Sequence, residues 1–138
     1  YYAVLSEVSP PTALSPFAAA AITGGNPYKT TMMAWKYTAP AFLVPFMFTL
    51  HPDGVGLLLK GEWGNILWTT ATAAVGLGAL AAGLTGWLLV KTSILERALL
   101  IAAGLVLVYP SLIQDVIGIG LFGVAGILQY RRRRAAEI

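Results

Sequence analysis

The chain has 138 residues, of which 57% are hydrophobic and 11% are charged, and its formal net charge is +3. With a mean hydropathy of +0.74, it is too apolar for an ordinary soluble domain, in which about a quarter of the residues carry charge. The same figures exclude a disordered chain, and the lack of cysteine excludes structural disulfides and thiolate chemistry. The composition therefore predicts a membrane protein, and the successive apolar segments along the chain predict an all-α, polytopic helical bundle.

The first apolar segment, residues 5–23, is apolar enough to span a membrane but contains Ser9-Pro10-Pro11. Two consecutive prolines cannot be absorbed as one kink, so we expect a discontinuous helix broken at this point. Secondary transporters use such breaks, where unwound carbonyl groups coordinate a cation. Ser9 and Thr12 add hydroxyl groups to this candidate cation site. The alternative is a proline kink that only shapes helix packing.

Glu7 lies two residues before the break. Carboxylates within a membrane are costly and are functional candidates by default, which places Glu7 on a substrate or ion pathway. The alternative is a position at the outer interface, or a partner elsewhere on a longer chain.

A second span is predicted over residues 32–50, with Asn26 as the N-cap of its helix and Pro27 at the first helical position. Pro40 and Pro45 should kink it, because each removes a backbone donor. The following residues, 51–65, begin with a turn sequence and form a predicted external loop.

The clearest predicted span covers residues 66–90, which carry no charge. Small residues recur every four positions along one face, which would allow another helix to approach closely. These predicted helix-packing residues are Ala74, Gly78, Ala82 and Gly86.

Residues 98–130 are apolar again but are interrupted by Tyr109-Pro110-Ser111. Ser93 and Glu96 predict a capping box at the start of the first arm. The two arms could be two spans or one re-entrant hairpin.

Asp115 is interpreted as an interfacial residue that bonds the backbone of the proline turn. Gly118, Gly120, Gly123 and Gly126 give the second arm a thin face, and Trp68 belongs to a predicted aromatic belt.

Orientation follows from the basic residues, because short cytoplasmic loops carry the excess of Lys and Arg. With the C-terminus inside, eight of the nine basic residues fall on the cytoplasmic side and only Lys60 lies outside. The last four are predicted to be a topology anchor that meets anionic lipid headgroups, not nucleic acid. They are Arg131, Arg132, Arg133 and Arg134.

Recognisable enzyme motifs are absent from the sequence: it has no H-E-x-x-H, no G-x-S-x-G and no Walker sequence. Its one histidine, His51, is expected to be a solvated loop residue, because a metal site needs several convergent ligands. The sequence therefore predicts a protein that is not an enzyme and has no cofactor.

Three stretches carry a family resemblance: residues 2–22, Gly25-Asn26-Pro27, and the F-L-V-P-F run ending at Phe46. They resemble the end of the large permease domain of TRAP (tripartite ATP-independent periplasmic) transporters, in the form that fuses the small and large membrane subunits. Residues 57–59, 95–97 and 109–118 resemble the C-terminal extension of that form.

The resemblance implies the end of an inverted-repeat domain of a sodium-driven transporter, which takes a small organic anion such as a carboxylate from a periplasmic solute-binding protein. In the family, the [ST]-P-P segment lies beside a cation site, which carries onto Ser9, Pro10, Pro11 and Thr12. Where the family usually has Val or Ile, this chain has Thr12. Residues 1–50 would finish the transport domain, 51–65 would be a periplasmic loop, 66–130 an appended transmembrane region and 131–138 a cytoplasmic tail.

Because the sequence opens on Tyr1 without an initiator methionine or a basic leader, we expect an upstream remainder of the permease chain, in a bacterial or archaeal inner membrane. The rival hypothesis is a small membrane scaffold that does not transport and that assembles through its small-residue helix faces.

Overall fold

The computed structural model describes residues 1–136, so the last two residues of the predicted 131–138 tail lie outside it. All regular secondary structure in this described part of the chain is helical. The chain forms two compact units, residues 1–42 and the residues from 43 onward. The expected all-α class is thus confirmed.

In the first unit, α1 covers Tyr2–Leu5 and is followed by a 3₁₀ turn over Ser6–Val8. The helix is broken after this turn, as predicted from the two prolines. The chain resumes as α2 over Leu14–Thr23 and turns back at Gly24, whose φ of 69° is left-handed. α3 covers Pro27–Thr38, and the Asn26 side chain accepts a hydrogen bond from the Lys29 N–H. The predicted N-cap is confirmed.

The predicted span over residues 32–50 is not one helix. α3 ends at Thr38, a 3₁₀ segment follows over Ala39–Leu43, and α4 covers only Val44–Thr49. Pro40 and Pro45 supply the reason, because each lacks the N–H that would continue the helical ladder. Their effect is thus larger than the kinks expected from the sequence.

Among residues 1–136, two helices are long and apolar enough to cross a membrane, and both lie in the second unit. α5 covers Trp63–Thr85, and α7 covers Leu112–Ala136, of which Leu112–Arg134 meets this criterion. Between them, α6 covers Ile94–Leu107, whose 14 residues extend for about 21 Å. This length is less than the ~30 Å hydrocarbon core of a bilayer.

The predicted end of the 66–90 span is wrong by five residues, since α5 stops at Thr85. Gly86 ends the helix in a left-handed conformation with φ of 81°. The next residues form an irregular loop with an isolated bridge between Trp87 and Lys91. The N–H groups of Leu89 and Val90 in this loop donate to the Gln129 side chain of α7. These bonds replace the helical hydrogen bonds that the two groups lack.

The core of the second unit is formed where α6 packs against both α5 and α7. Ala79 and Ala82 of α5 meet Leu100 and Ala103 of α6 and Ala125 of α7 in one buried cluster. The predicted capping box of Ser93 and Glu96 starts α6, and the chain turns at Pro110 before α7. Both of these predictions are confirmed.

Candidate functional site

The helix break occupies residues 9–13. Ser9 is extended, with φ of −113° and ψ of 144°, and Ala13 is left-handed with φ of 38°. The peptide bond between Pro10 and Pro11 is cis. The conformations of Ser9 and Ala13 therefore mark where the backbone leaves helical geometry, between the 3₁₀ turn and α2.

Three prolines remove hydrogen-bond donors around this break. In a continuous helix, the N–H groups of residues 10, 11 and 16 would bond the carbonyl groups of Ser6, Glu7 and Thr12. Pro10, Pro11 and Pro16 have no such group. The carbonyl groups on both sides of the break therefore need other partners.

Thr12 supplies one of the missing donors. Its hydroxyl group donates to the Ser6 carbonyl oxygen and also lies 3.3 Å from that of Ser9. The Ser9 and Ala13 N–H groups bond the same two carbonyl groups, at 3.3 and 3.0 Å. The Thr12 proton is therefore engaged with the backbone, while its oxygen lone pairs can still accept or coordinate.

An open cleft of about 600 Å³ borders the break and is lined by Ser9, Pro10, Trp35, Ala39 and Phe42. Pro11 lies instead at a smaller recess of about 170 Å³ beside Pro10 and Phe17. Glu7 is exposed in the 3₁₀ turn and forms no ion pair with the described residues. The structure thus brings Ser9 and Pro10 of the predicted cation site to one cleft.

The four predicted packing residues of α5 do not share one environment. Ala82 is buried in the core cluster, whereas Ala74 and Gly78 are exposed, and a Cβ atom on Gly78 would meet nothing within 4 Å. Gly86 lies just beyond the helix. Their packing against a second protein helix stays a prediction.

The four arginines predicted as a topology anchor continue α7, and all are exposed. Arg132 also reaches back to α6, where its Nη1 lies 2.9 Å from Oε2 of Glu96. The Arg134 guanidinium lies 5.6 Å from the centre of the Tyr130 ring. An ion pair within the unit was not foreseen for this run.

Glu96 is the centre of a buried polar cluster. Its side chain is 2% exposed, and three donors converge on Oε2: the Ser93 N–H at 2.7 Å, Nε2 of Gln129 at 2.9 Å and Arg132. Burial raises the pKa of Glu96, but these hydrogen bonds and the charge of Arg132 outweigh it, so the pKa lies below its ordinary value. The cluster therefore holds an ionised carboxylate.

Gln129 connects this cluster to the loop after α5. Its side chain is fully buried, and its Oε1 accepts the N–H groups of Leu89 at 3.1 Å and Val90 at 3.2 Å. A single amide thus satisfies two loop donors and one carboxylate. Gln129 was missed as a structural residue, although it continues the buried positions of α7 at helical spacing after Gly118 and Ala125.

The lowered pKa of Glu96 predicts a pH effect on stability. Ionised Glu96 stabilises the folded protein above its ordinary pKa of 4.5, and this contribution is lost as the pH falls through the lowered value. In chemical unfolding at neutral pH, the wild-type protein should have a larger free energy of unfolding than Glu96→Gln. This difference between the two free energies should become smaller in acid. Glu62→Gln, at an exposed carboxylate, is the control. A gap that is the same at every pH would contradict the assigned charge state.

Basic side chains gather at this end of the second unit. Arg97 donates from Nε to the Gly83 carbonyl at 2.7 Å and from a terminal nitrogen to that of Leu84 at 3.0 Å, which satisfies the end of α5. Arg132 bonds the Glu96 carboxylate at the start of α6. Lys91 follows Val90, whose N–H donates to Gln129. Acidic Asp53 and Asp115 lie at the opposite end of α5.

Asp115 differs from the sequence-based interpretation. Its carboxylate is buried and accepts a hydrogen bond from the indole of Trp68 at 2.8 Å, rather than bonding the backbone of the proline turn. Within the turn, the Ser111 N–H donates to the Tyr109 carbonyl at 2.9 Å, and the Asp115 N–H donates to the Ser111 carbonyl at 2.8 Å as a helical bond at the start of α7.

Comparison of the chain with protein-family models, with curated proteins and with solved structures finds no match.

Proposed function

We propose that the chain is the C-terminal part of a sodium-coupled TRAP permease, which imports a small organic anion such as a carboxylate delivered by a periplasmic binding protein. It acts in a bacterial or archaeal cytoplasmic membrane, with its C-terminus in the cytoplasm. The observation that carries the proposal is the helix break at residues 9–13, where prolines leave backbone carbonyl groups without helical donors.

Oxygen atoms at this break have the chemistry that a sodium ion requires. Carbonyl and hydroxyl oxygens are suitable ligands for hard cations, and broken helices present them at membrane depth. The Thr12 hydroxyl donates a hydrogen bond to the Ser6 carbonyl group. The carbonyl groups of Glu7 and Thr12 lack their helical donors, because residues 11 and 16 are prolines. These two carbonyl groups, with the Ser9 and Thr12 hydroxyl oxygens, are the proposed sodium ligands.

The Glu7 side chain contributes charge in this proposal, whereas only the backbone carbonyl of this residue is a ligand. The carboxylate of Glu7 is exposed and forms no ion pair with the described residues. Glu7 directly follows Ser6, whose carbonyl group accepts a hydrogen bond from the Thr12 hydroxyl. A negative charge at this position attracts cations to the break.

The charge distribution of the second unit supports the proposed orientation. Lys91, Arg97 and Arg132 lie at one end and the acidic pair of Asp53 and Asp115 at the other. An excess of Lys and Arg is typical of the cytoplasmic side of a membrane protein, so the end that carries Lys91, Arg97 and Arg132 is the proposed cytoplasmic end.

The decisive experiment measures sodium-dependent uptake by the complete reading frame that contains this chain. The purified protein is placed in proteoliposomes with the binding protein and a mixture of radiolabelled small carboxylates. Pro10→Ala with Pro11→Ala restores two backbone donors, so we expect it to abolish the stimulation by sodium. Pro27→Ala is the matched control, because Pro27 starts α3 away from the break.

Uptake that is still stimulated by sodium in the double variant would remove the break from the mechanism. Absence of any carboxylate uptake by the wild-type protein would contradict the transporter proposal itself.

A second candidate function is a membrane scaffold that assembles through small-residue helix faces. The observation that favours it is the open surface of α7, where a Cβ atom on Gly120, Gly123 or Gly126 would meet nothing within 4 Å. Small residues allow the close approach of another helix. This hypothesis expects the 138-residue chain to form a stable oligomer in detergent, which Gly123→Leu would dissociate, and it expects no uptake.

A further inference from the structure

A small polar pocket of about 130 Å³ lies at the acidic end of the second unit, distant in sequence from the helix break. It is formed where the 3₁₀ segment Pro52–Leu58, the first turns of α5 and the start of α7 meet. Its lining residues are Asp53, Asn65, Trp68, Thr69, Pro110, Ser111, Leu112 and Asp115.

Asp115 gives the pocket a buried carboxylate that is only half satisfied. Asp115 is 3% exposed, and its Oδ2 accepts a hydrogen bond from the Trp68 indole N–H at 2.8 Å. The other oxygen, Oδ1, is buried and has no hydrogen-bond partner among the described residues. A buried carboxylate is costly unless it is paired, and neither the neutral Trp68 donor nor the neighbouring neutral Thr72 hydroxyl compensates its charge.

The surroundings add oxygen atoms and negative charge. The Thr69 hydroxyl lies 3.2 Å from Oδ1 of Asn65 and 3.4 Å from the Asp53 carbonyl oxygen. Thr72 lies beside the Asp115 carboxylate, and its hydroxyl donates to the Thr69 carbonyl at 3.2 Å. Ser111 supplies a further hydroxyl group at the wall.

Two other titratable groups belong to this end of the unit. Asp53 lines the pocket with a side chain that is 60% exposed, and Nδ1 of His51 lies 3.5 Å from its Oδ2. His51 also accepts the Asp53 N–H and packs against Tyr109. No Lys or Arg side chain is among the pocket's lining residues to neutralise the two carboxylates.

We propose that this pocket binds one monovalent metal cation, of the sodium type, with Oδ1 of Asp115 as its principal ligand. Hard oxygen ligands and net negative charge suit such an ion. No group of three or more His, Cys, Asp and Glu residues suited to a metal occurs in the described residues, which disfavours a divalent or transition metal. The pocket lies in the unit from residue 43 onward, apart from the helix break. The proposal that it binds a cation is therefore independent of the proposed transport function.

Trp68 provides a direct readout, because its indole bonds the carboxylate that would hold the ion. The full chain is purified in detergent with Trp35, Trp63 and Trp87 replaced by Phe, and all three are exposed. Sodium chloride is titrated against choline chloride at constant ionic strength and alkaline pH, where carboxylates are ionised. We expect a saturable change in Trp68 fluorescence with sodium and none with choline.

Two substitutions locate the site. Asp115→Asn keeps the shape but removes the charge, and should abolish the saturable change. Asp53→Asn, at a largely exposed side chain that is easier to replace, should weaken the apparent affinity for sodium by about ten-fold. Glu62→Gln is the matched control, because Glu62 is exposed near the start of α5 but is not among the pocket's lining residues.

A fluorescence signal that ignores sodium, potassium and lithium would overturn the proposal. So would a signal that follows pH alone, since the occupant of the carboxylate would then be a proton. An unchanged sodium affinity in Asp53→Asn and Asp115→Asn would place any cation elsewhere and would equally overturn it.

Discussion

We expect Gln129→Leu to lower the free energy of unfolding by about 3 kcal/mol. Leucine has a similar volume and suits an apolar helix, so the effect should come from lost hydrogen bonds rather than from a cavity. Because Gln129 is fully buried, water cannot easily replace those bonds. The measurement is chemical unfolding in detergent, monitored by circular dichroism.

The size of this effect follows from what the amide satisfies. Its Oε1 accepts the N–H groups of Leu89 and Val90, and its Nε2 donates to the Glu96 carboxylate at 2.9 Å. Each buried group left unpaired costs about 1–3 kcal/mol, and more when it is charged. Three groups lose a partner together, although Glu96 keeps the Ser93 N–H and Arg132.

Gln114→Leu is the matched control for this prediction. Gln114 lies in the same helix, and its Oε1 is buried without a hydrogen-bond partner among the described residues. Removing an unsatisfied acceptor should leave stability unchanged or raise it. Equal destabilisation by the two substitutions would show that glutamine is favoured in α7 for a reason other than these bonds.

The elements that the sequence predicted well are those set by local chemistry. Pro10 and Pro11 break a helix because they lack donors, Asn26 caps one because its side chain reaches the Lys29 N–H, and Pro110 separates α6 from α7. Each of these effects acts within a few residues. They could therefore be read without knowing which helices pack together.

The elements that were missed depend on contacts between residues far apart in the chain. The end of α5 at Thr85 is followed by an apolar stretch that resembles more helix, and its loop is satisfied by Gln129, about 40 positions away. Asp115 and Trp68 are 47 positions apart and meet only because α7 returns beside α5. No local pattern specifies such pairs.

The small-residue face predicted on α5 stays a prediction, and of its four members Ala82 lies in the core of the unit. In a helix this rich in Ala and Gly, several faces are thin, so four-residue spacing could not choose among them. Within α5 and α6, a Cβ atom on Gly76, Gly83 or Gly104 would meet the neighbouring helix. Gly118 of α7 is the one member of its predicted set for which the same holds.

Gly104→Val should destabilise the second unit by about 3 kcal/mol, at the upper end for an overpacked core. A Cβ atom on Gly104 would overlap the Leu80 side chain and lie 2.8 Å from the Gly76 carbonyl oxygen. A side chain can change rotamer, but the carbonyl belongs to the α5 backbone, so the helices themselves would have to separate. Valine adds two methyl groups to this clash.

Gly123→Val on α7 is the matched control, because a Cβ atom there would meet nothing within 4 Å. Both changes replace a helical glycine with the same residue, so their intrinsic helix propensities shift equally. Only the α5–α6 contact distinguishes them. Unfolding curves for the two variants should therefore differ by roughly the whole overpacking energy, and coincident curves would mean that α5 and α6 are not in close contact at Gly104.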